Sequence, residues 1–136
     1  MQVGKMDRQA VFEKVITHLY EQKSQAYKNG VGCSYRGTHG KTCAVGCLIK
    51  DNEYDPEYEG HAADTNRVVR AVEDSIGARL DSIDKNLLCS LQSLHDNYLT
   101  TRRKDFNKSL FIDNAQGIAH DYSLDTTFIG ELRARP

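Results

Sequence analysis

The chain has 136 residues, of which 39% are hydrophobic and 27% are charged, the size and composition of one soluble domain spanning 1–136. Its net charge of −1 argues against a general nucleic-acid binder, which carries a basic excess. No run approaches the ~18 apolar residues of a membrane span, and the first residues lack the apolar core of a secretory signal. We therefore expect no membrane partner. Four cysteines without such a signal favour reduced thiols and a cytoplasmic location.

The first predicted element is an amphipathic helix from Asp7 to about Lys23, with Asp7 as its N-cap. Its apolar side chains recur at helical spacing, at Val11, Phe12, Val15, Ile16 and Leu19. The glycines of KNGVG then end the helix. Two β-prone runs, Gly32–Arg36 and Thr42–Ile49, follow on either side of GTHG and predict a β-hairpin.

Two further helices are predicted in the middle of the chain. The second begins at Asp64 or Thr65 and ends at Gly77, which suits the left-handed position after a helix. The third is capped by Asp81 or Asp84. Its apolar stripe consists of Leu87, Leu88, Leu91, Leu94 and Tyr98.

A fourth helix is predicted to start near Asp105, after the short basic stretch Arg102–Lys104. The tail after Leu124 fits a short helix, a strand or frayed coil, and residues 1–6 and 125–136 are the segments where fraying is expected. The predicted fold class is α+β: an α-rich domain with about four helices packed around one small β-hairpin.

The segment Cys33–Gly60, here called the central block, holds or adjoins three cysteines and two histidines. These residues are candidates for a zinc site: Cys33, Cys43, Cys47, His39 and His61. Structural zinc needs a tight turn that brings two thiolates to one ion. In an extended strand the α-carbons of Cys43 and Cys47 would lie about 13 Å apart, which is too far. Packing of small apolar thiols in the core is the simpler interpretation, so no cofactor is expected and zinc stays an alternative.

A cysteine-dependent enzyme is a second chemical hypothesis, with Cys43 or Cys47 as the nucleophile and His95 as the base. Such chemistry requires the thiolate and the imidazole within hydrogen-bond reach, with a third group orienting the ring. Asp96 follows His95 directly and projects about 100° away around the helix, so we expect it to be poorly placed to orient the ring. The sequence therefore predicts no catalytic residue.

The charged residues of the central block are segregated by sign. Five Lys and Arg residues and no acid lie between Lys23 and Lys50, whereas six acids and no base lie in 51–65. The acidic part could be a protein-binding surface anchored by tyrosines, which are enriched in interfaces. The predicted binding residues are Tyr54, Asp55, Glu57, Tyr58 and Glu59, together with Arg36 and Lys41 from the basic part.

The sequence GTHGKT, Gly37–Thr42, superficially resembles a phosphate-binding loop. A P-loop needs glycine where this chain has Tyr35, and it needs a following helix, whereas CAVGCLI is β-prone. A hairpin turn is the simpler interpretation. Nucleic-acid binding would depend on the fold bringing Arg36 and Lys41 together with Arg102 and Arg103, and the net charge does not support it.

The block C-x-Y-R-G…K-x-C-A-V-G-C-L-I-x-D-x-x-Y-x-P-x-x-E-G, here Cys33 to Gly60, resembles a family of small bacteriophage and prophage proteins with no assigned activity. The resemblance covers most of the chain and includes the element L-x-x-L-H-D at Leu91–Asp96. The chain departs from the pattern at Lys50, where proline is frequent. The resemblance implies a phage accessory protein that acts in the cytoplasm of the host cell.

The leading functional hypothesis is a non-enzymatic accessory protein that binds and modulates a host protein, as an inhibitor in host takeover or anti-defence. It combines the resemblance with the segregated charge and the absence of a convincing catalytic pattern. The alternatives are the cysteine-dependent enzyme and a small zinc-stabilised module.

Overall fold

The computed structural model describes residues 7–28, 32–37, 40–101 and 105–135. Within these ranges the regular structure is almost entirely helical. The five α-helices are α1 (Arg8–Gln22), α2 (Asn66–Ile76), α3 (Ser82–Asn97), α4 (Lys108–Asp121) and α5 (Thr127–Ala134).

The prediction of an α+β fold around a hairpin is wrong. Strand pairing in the described chain is limited to Tyr27–Lys28 with Gly32–Cys33, two residues on each side, and to isolated bridges. The predicted second strand, Thr42–Ile49, is coil that tightens into one 3₁₀ turn at Gly46–Leu48. The class is therefore all-α.

The segment Thr42–Ile49, which was predicted to be a strand, is a buried turn. Residues 43–46 are all buried, whereas a half-buried strand would alternate. The amide of Cys47 donates to the carbonyl of Cys43, and that of Leu48 donates to Val45, so the backbone bonds close locally. Gly46 permits the packing: a Cβ there would lie 2.1 Å from the carbonyl oxygen of Tyr35.

Local capping signals set the ends of three helices where the sequence predicts them. Asp7 accepts from the amide of Ala10 at the start of α1. Asp81 and Asp84 form a reciprocal capping box at the start of α3, which satisfies two amides that the helix itself cannot pair. Gly77 ends α2 at a φ of 73°, a conformation that glycine adopts without strain.

The C-terminal part differs from the prediction in detail. Helix α4 begins at Lys108 with Asn107 as its N-cap, three residues after the start predicted near Asp105. The tail is helical up to Ala134, with Ile129 and Leu132 buried. Segment 125–136, for which fraying is expected, thus contains α5, which packs against α4.

One hydrophobic core joins all five helices. Helix α3 packs on α1 and α4, and the 3₁₀ turns of the central block contact α1 and α2. No helix in the described ranges is long and apolar enough to span a membrane. The largest fully buried side chains are Phe12, Ile16, Leu19, Leu87, Leu88, Leu91, Leu94, His95, Leu99, Phe111, Ile112 and Ile129.

Candidate functional site

Glu59 holds the central block together by three hydrogen bonds to other residues of the block. One carboxylate oxygen accepts the backbone amide of Tyr35 at 2.8 Å. The other accepts the amide of Arg36 at 3.0 Å and the hydroxyl of Tyr54 at 2.6 Å. Hydrogen bonds to an ionised acceptor are about twice as strong as neutral ones. Glu59 therefore joins the two ends of the block, and its oxygens are already occupied.

Arg36 is held on three sides. Its guanidinium donates to Asp51 at 2.6 Å and to the carbonyl of Ile49 at 2.7 Å, and it lies 4.6 Å from the ring centre of Tyr54. Its Nε is buried and has no acceptor in the part of the chain that the structure describes. Burial, and then the bond to Glu59, raises the pKa of the Tyr54 hydroxyl, which stays protonated at neutral pH.

Glu53, Asp55 and Glu57 of the central block and Asp74 of α2 line a surface concavity of about 310 Å³, here called the acidic depression. Asp55 caps the amide of Glu57 at 2.9 Å, and Glu57 forms an ion pair with Arg67 at 2.9 Å. The ring of Tyr58 is half-buried and packs edge-to-face on Tyr54 at 6.2 Å. The charged and aromatic side chains that line the depression are Glu53, Asp55, Glu57, Asp74, Arg67, Arg70 and Tyr58.

A second concavity, of about 470 Å³, has the opposite charge and is here called the basic groove. Lys14 and His18 reach it from one face of α1, and Arg36 and Lys41 reach it from the central block. Asp51 is the acid that lines it, and this carboxylate is paired with Arg36. Arg36 and Lys41 were predicted binding residues, whereas Lys14 and His18 were not predicted from the sequence.

Cys43 lies in the core, and Cys47 is half-buried beside it and lines the basic groove. Burial raises the pKa of Cys43 far above its ordinary value and that of Cys47 to about 12, against the opposing effect of nearby Lys14. The Cys43 sulfur accepts the amide of Gly46, and the Cys47 thiol donates to the carbonyl of Ala44. A thiol that stays protonated is a poor nucleophile.

His95 is fully buried and both of its ring nitrogens are occupied. Nε2 accepts the backbone amide of Ala26 at 2.9 Å, which leaves the proton on Nδ1. That nitrogen donates to Asp96 at 2.7 Å. The expectation that Asp96 is poorly placed to orient its neighbour is wrong, because rotation of the two side chains brings them together. The pair anchors the loop after α1. The lone pair of His95 Nε2 already accepts the amide of Ala26, so this nitrogen is not available as a base.

The zinc candidates divide between described and undescribed positions. His39 and the side chain of Cys33 lie outside the described residues. Among the described ones, no group of three or more His, Cys, Asp or Glu side chains converges as metal ligands. His61 is exposed, and its carbonyl accepts the hydroxyl of Tyr35. Arg102 and Arg103, invoked for nucleic acid, also lie outside the described ranges.

Comparison of the chain with family models, with curated proteins and with solved structures finds no match. The resemblance to phage proteins therefore stays a prediction from the motif. Function has to be argued from the two charged concavities.

Proposed function

We propose that this protein is a non-enzymatic phage accessory protein that binds and modulates a host protein in the host cytoplasm, and that the acidic depression is its contact surface. The observation that carries the proposal is the convergence of four carboxylates, Glu53, Asp55, Glu57 and Asp74, around one concavity of about 310 Å³. Two of the predicted binding residues, Tyr54 and Glu59, do not line the depression but support it, since Glu59 holds Tyr54 and Tyr54 packs on Tyr58.

The charge of the depression is only partly compensated from within. Four carboxylates face the two guanidinium groups of Arg67 and Arg70. The ion pair between Glu57 and Arg67 is 73% exposed on both sides, and pairs of that kind contribute about 0–1 kcal/mol. A partner cation can therefore replace Arg67 at little cost.

The partner that fits is a protein surface presenting a lysine or arginine side chain. Such a side chain would enter the depression between the carboxylates and lie beside the ring of Tyr58, with which a cation interacts favourably. Tyr58 is held by Tyr54, which in turn is held by Glu59. This preformed aromatic wall lowers the ordering cost of binding.

The cysteine-enzyme alternative has less support, because the thiols are protonated and His95 has no free nitrogen for proton transfer. A general base must reach the proton that it abstracts. The acidic depression is therefore the better starting point for experiments on function.

The test is a charge-neutral variant of the depression, Glu53→Gln, Asp55→Asn and Glu57→Gln. Asparagine at position 55 retains the capping oxygen, so the fold should persist. A matched control, Glu21→Gln, Asp121→Asn and Glu131→Gln, removes the same charge at exposed positions elsewhere. A partner captured from bacterial lysate would be purified and its affinity measured by calorimetry for the wild-type protein and for both variants.

We expect the depression variant to lose at least about tenfold in affinity, equivalent to about 1.4 kcal/mol, and the control to keep the wild-type value. Binding of the wild type should also weaken as salt rises. Equal affinity of the two variants for every purified partner would refute the assignment of the surface.

A further inference from the structure

We infer that the basic groove is a binding site for the phosphate group of a small phosphate monoester. This goes beyond the proposed function, because the groove is separate from the acidic depression and carries charge of the opposite sign. Its cationic residues are Lys14, Arg36 and Lys41, and His18 also lines it.

The two walls of the groove are joined by a fixed set of hydrogen bonds. Gln22 of α1 accepts the amide of Thr42 at 3.1 Å and donates to its carbonyl at 2.9 Å. His18 Nε2 lies 3.1 Å from that carbonyl and 2.8 Å from the Thr42 hydroxyl. The central block is therefore tied to α1 beside the cations, and the groove exists before any ligand arrives.

The positive charge in the groove lacks matching acids. Neither Lys14 nor Lys41 has an ion pair in the part of the chain that the structure describes, whereas Arg36 is paired with Asp51. The two lysines thus present uncompensated charge. A phosphate dianion would neutralise both, and phosphate is a good ligand for ammonium and guanidinium groups.

Arg36 adds an independent observation. Its Nε is a buried donor without an acceptor among the described residues, although its other nitrogens are satisfied by Asp51 and Ile49. An unpaired buried donor of this kind is energetically unfavourable. Arg36 lines the groove, but this Nε is closed to solvent, so a bound anion pairs with it only if the guanidinium turns toward the groove.

The size of the groove favours a small molecule over a polymer. Its volume of about 470 Å³ lies within the roughly 300–1,000 Å³ of small-ligand sites. A nucleic acid would meet a chain of net charge −1 with acids on the neighbouring surface, which opposes a polyanion.

Part of the sequence GTHGKT contributes to this groove without being a P-loop. Gly37, Gly40, Lys41 and Thr42 all line it. The turn that follows at Gly46–Leu48 is a single 3₁₀ turn, so it offers no helix N-terminus to a phosphate. The side-chain cations take the place of those amides.

The experiment is a titration of ¹⁵N-labelled protein followed by NMR. The probes are inorganic phosphate, glucose 6-phosphate and glucose, at constant ionic strength. We expect saturable shifts at the amides of Gly37, Gly40 and Thr42 with both phosphates, a dissociation constant of about 1 mM or tighter, and no shifts with glucose.

Two variants of equal charge change make the titration decisive. Lys14→Gln with Lys41→Gln should weaken glucose 6-phosphate binding at least about tenfold. Arg79→Gln with Lys85→Gln, which removes two cations outside the groove, should leave it unchanged. The inference would be overturned by absence of saturable binding, by equal loss in both variants, or by binding of a short oligonucleotide without binding of either phosphate.

Discussion

Replacing Glu59 by glutamine tests whether this acid is part of the frame and not of the binding surface. The carboxylate accepts three hydrogen bonds, from Tyr35, Arg36 and Tyr54. Glutamine keeps one acceptor oxygen and places an NH₂ group at the other position, where it faces a donor. Bonds to a charged acceptor contribute about 1.5–3 kcal/mol each. Losing one or two of them predicts a fall in unfolding free energy of about 2–4 kcal/mol.

The assay is urea unfolding followed by circular dichroism, with Glu57→Gln as the matched control. Glu57 lies two residues away and has an exposed ion pair with Arg67, so its neutralisation should cost less than about 1 kcal/mol. A milder variant, Tyr54→Phe, removes one of the three bonds and should cost about 1–2 kcal/mol. At a urea slope of about 2 kcal/mol/M, the middle of the usual range, Glu59→Gln should lower the midpoint by about 1–2 M.

Glu59 would not be part of the frame if the unfolding free energy of Glu59→Gln lay within about 0.5 kcal/mol of the wild-type value. The same would follow if Glu57→Gln were the more damaging change. In either case Glu59 would return to the candidate contact residues.

Three further predictions concern the groups that resemble a catalytic pair. In His95→Ala the amide of Ala26 loses its acceptor, so the hydrogen exchange of that amide should accelerate at least about tenfold. The free energy of unfolding should fall by about 3–5 kcal/mol. Unchanged protection of the Ala26 amide would contradict the assigned bond. The thiols in the tryptic peptide 42–50, whose pKa values are raised by burial, should react with iodoacetamide at pH 8 on the order of a thousandfold more slowly in the native protein than in guanidinium. Rapid labelling of the native peptide would revive the enzyme hypothesis. In the unfolded chain both thiols ionise near pH 9, whereas folding raises the pKa of Cys47 to about 12 and that of Cys43 still further. The unfolded state therefore loses its thiol protons first, and stability should decline as pH rises above 9.

Helix ends were predictable because their signals are local. Asp7, Gly77 and Asp81 act within one turn of their own positions, and capping follows from residue type and spacing alone. The fifth helix, whose segment the sequence left open between helix, strand and coil, shows the limit of such signals: its N-cap Thr126 makes no side-chain capping bond. Burial of Ile129 and Leu132 against the rest of the core stabilises α5, and that packing cannot be seen locally.

The hairpin prediction failed because β-propensity mostly reports packing context. In Thr42–Ile49 the apolar residues enter the core through a turn, and the close approach of Gly46 to Tyr35 makes this possible. The acidic run also depends on tertiary context. Glu59 was predicted to be a binding residue, but it accepts hydrogen bonds from backbone amides 23 and 24 residues away, and a local pattern does not show these bonds.

The basic groove was half visible in the sequence. Lys14 and His18 are four residues apart and must share one face of α1, which is a signal that could have been used. Their approach to Arg36 and Lys41 is a tertiary event, produced by the bonds between Gln22 and Thr42.

The bond between Ala26 and His95 joins positions 69 residues apart, with consequences during synthesis on the ribosome. Because translation is vectorial, the anchor for the loop after α1 does not exist until α3 has been made. Until then the apolar face of α1, with Phe12, Ile16 and Leu19, has no partner from α3 to cover it. A nascent chain paused before α3 should therefore be a chaperone substrate, and release of that chaperone should coincide with the emergence of His95 from the exit tunnel.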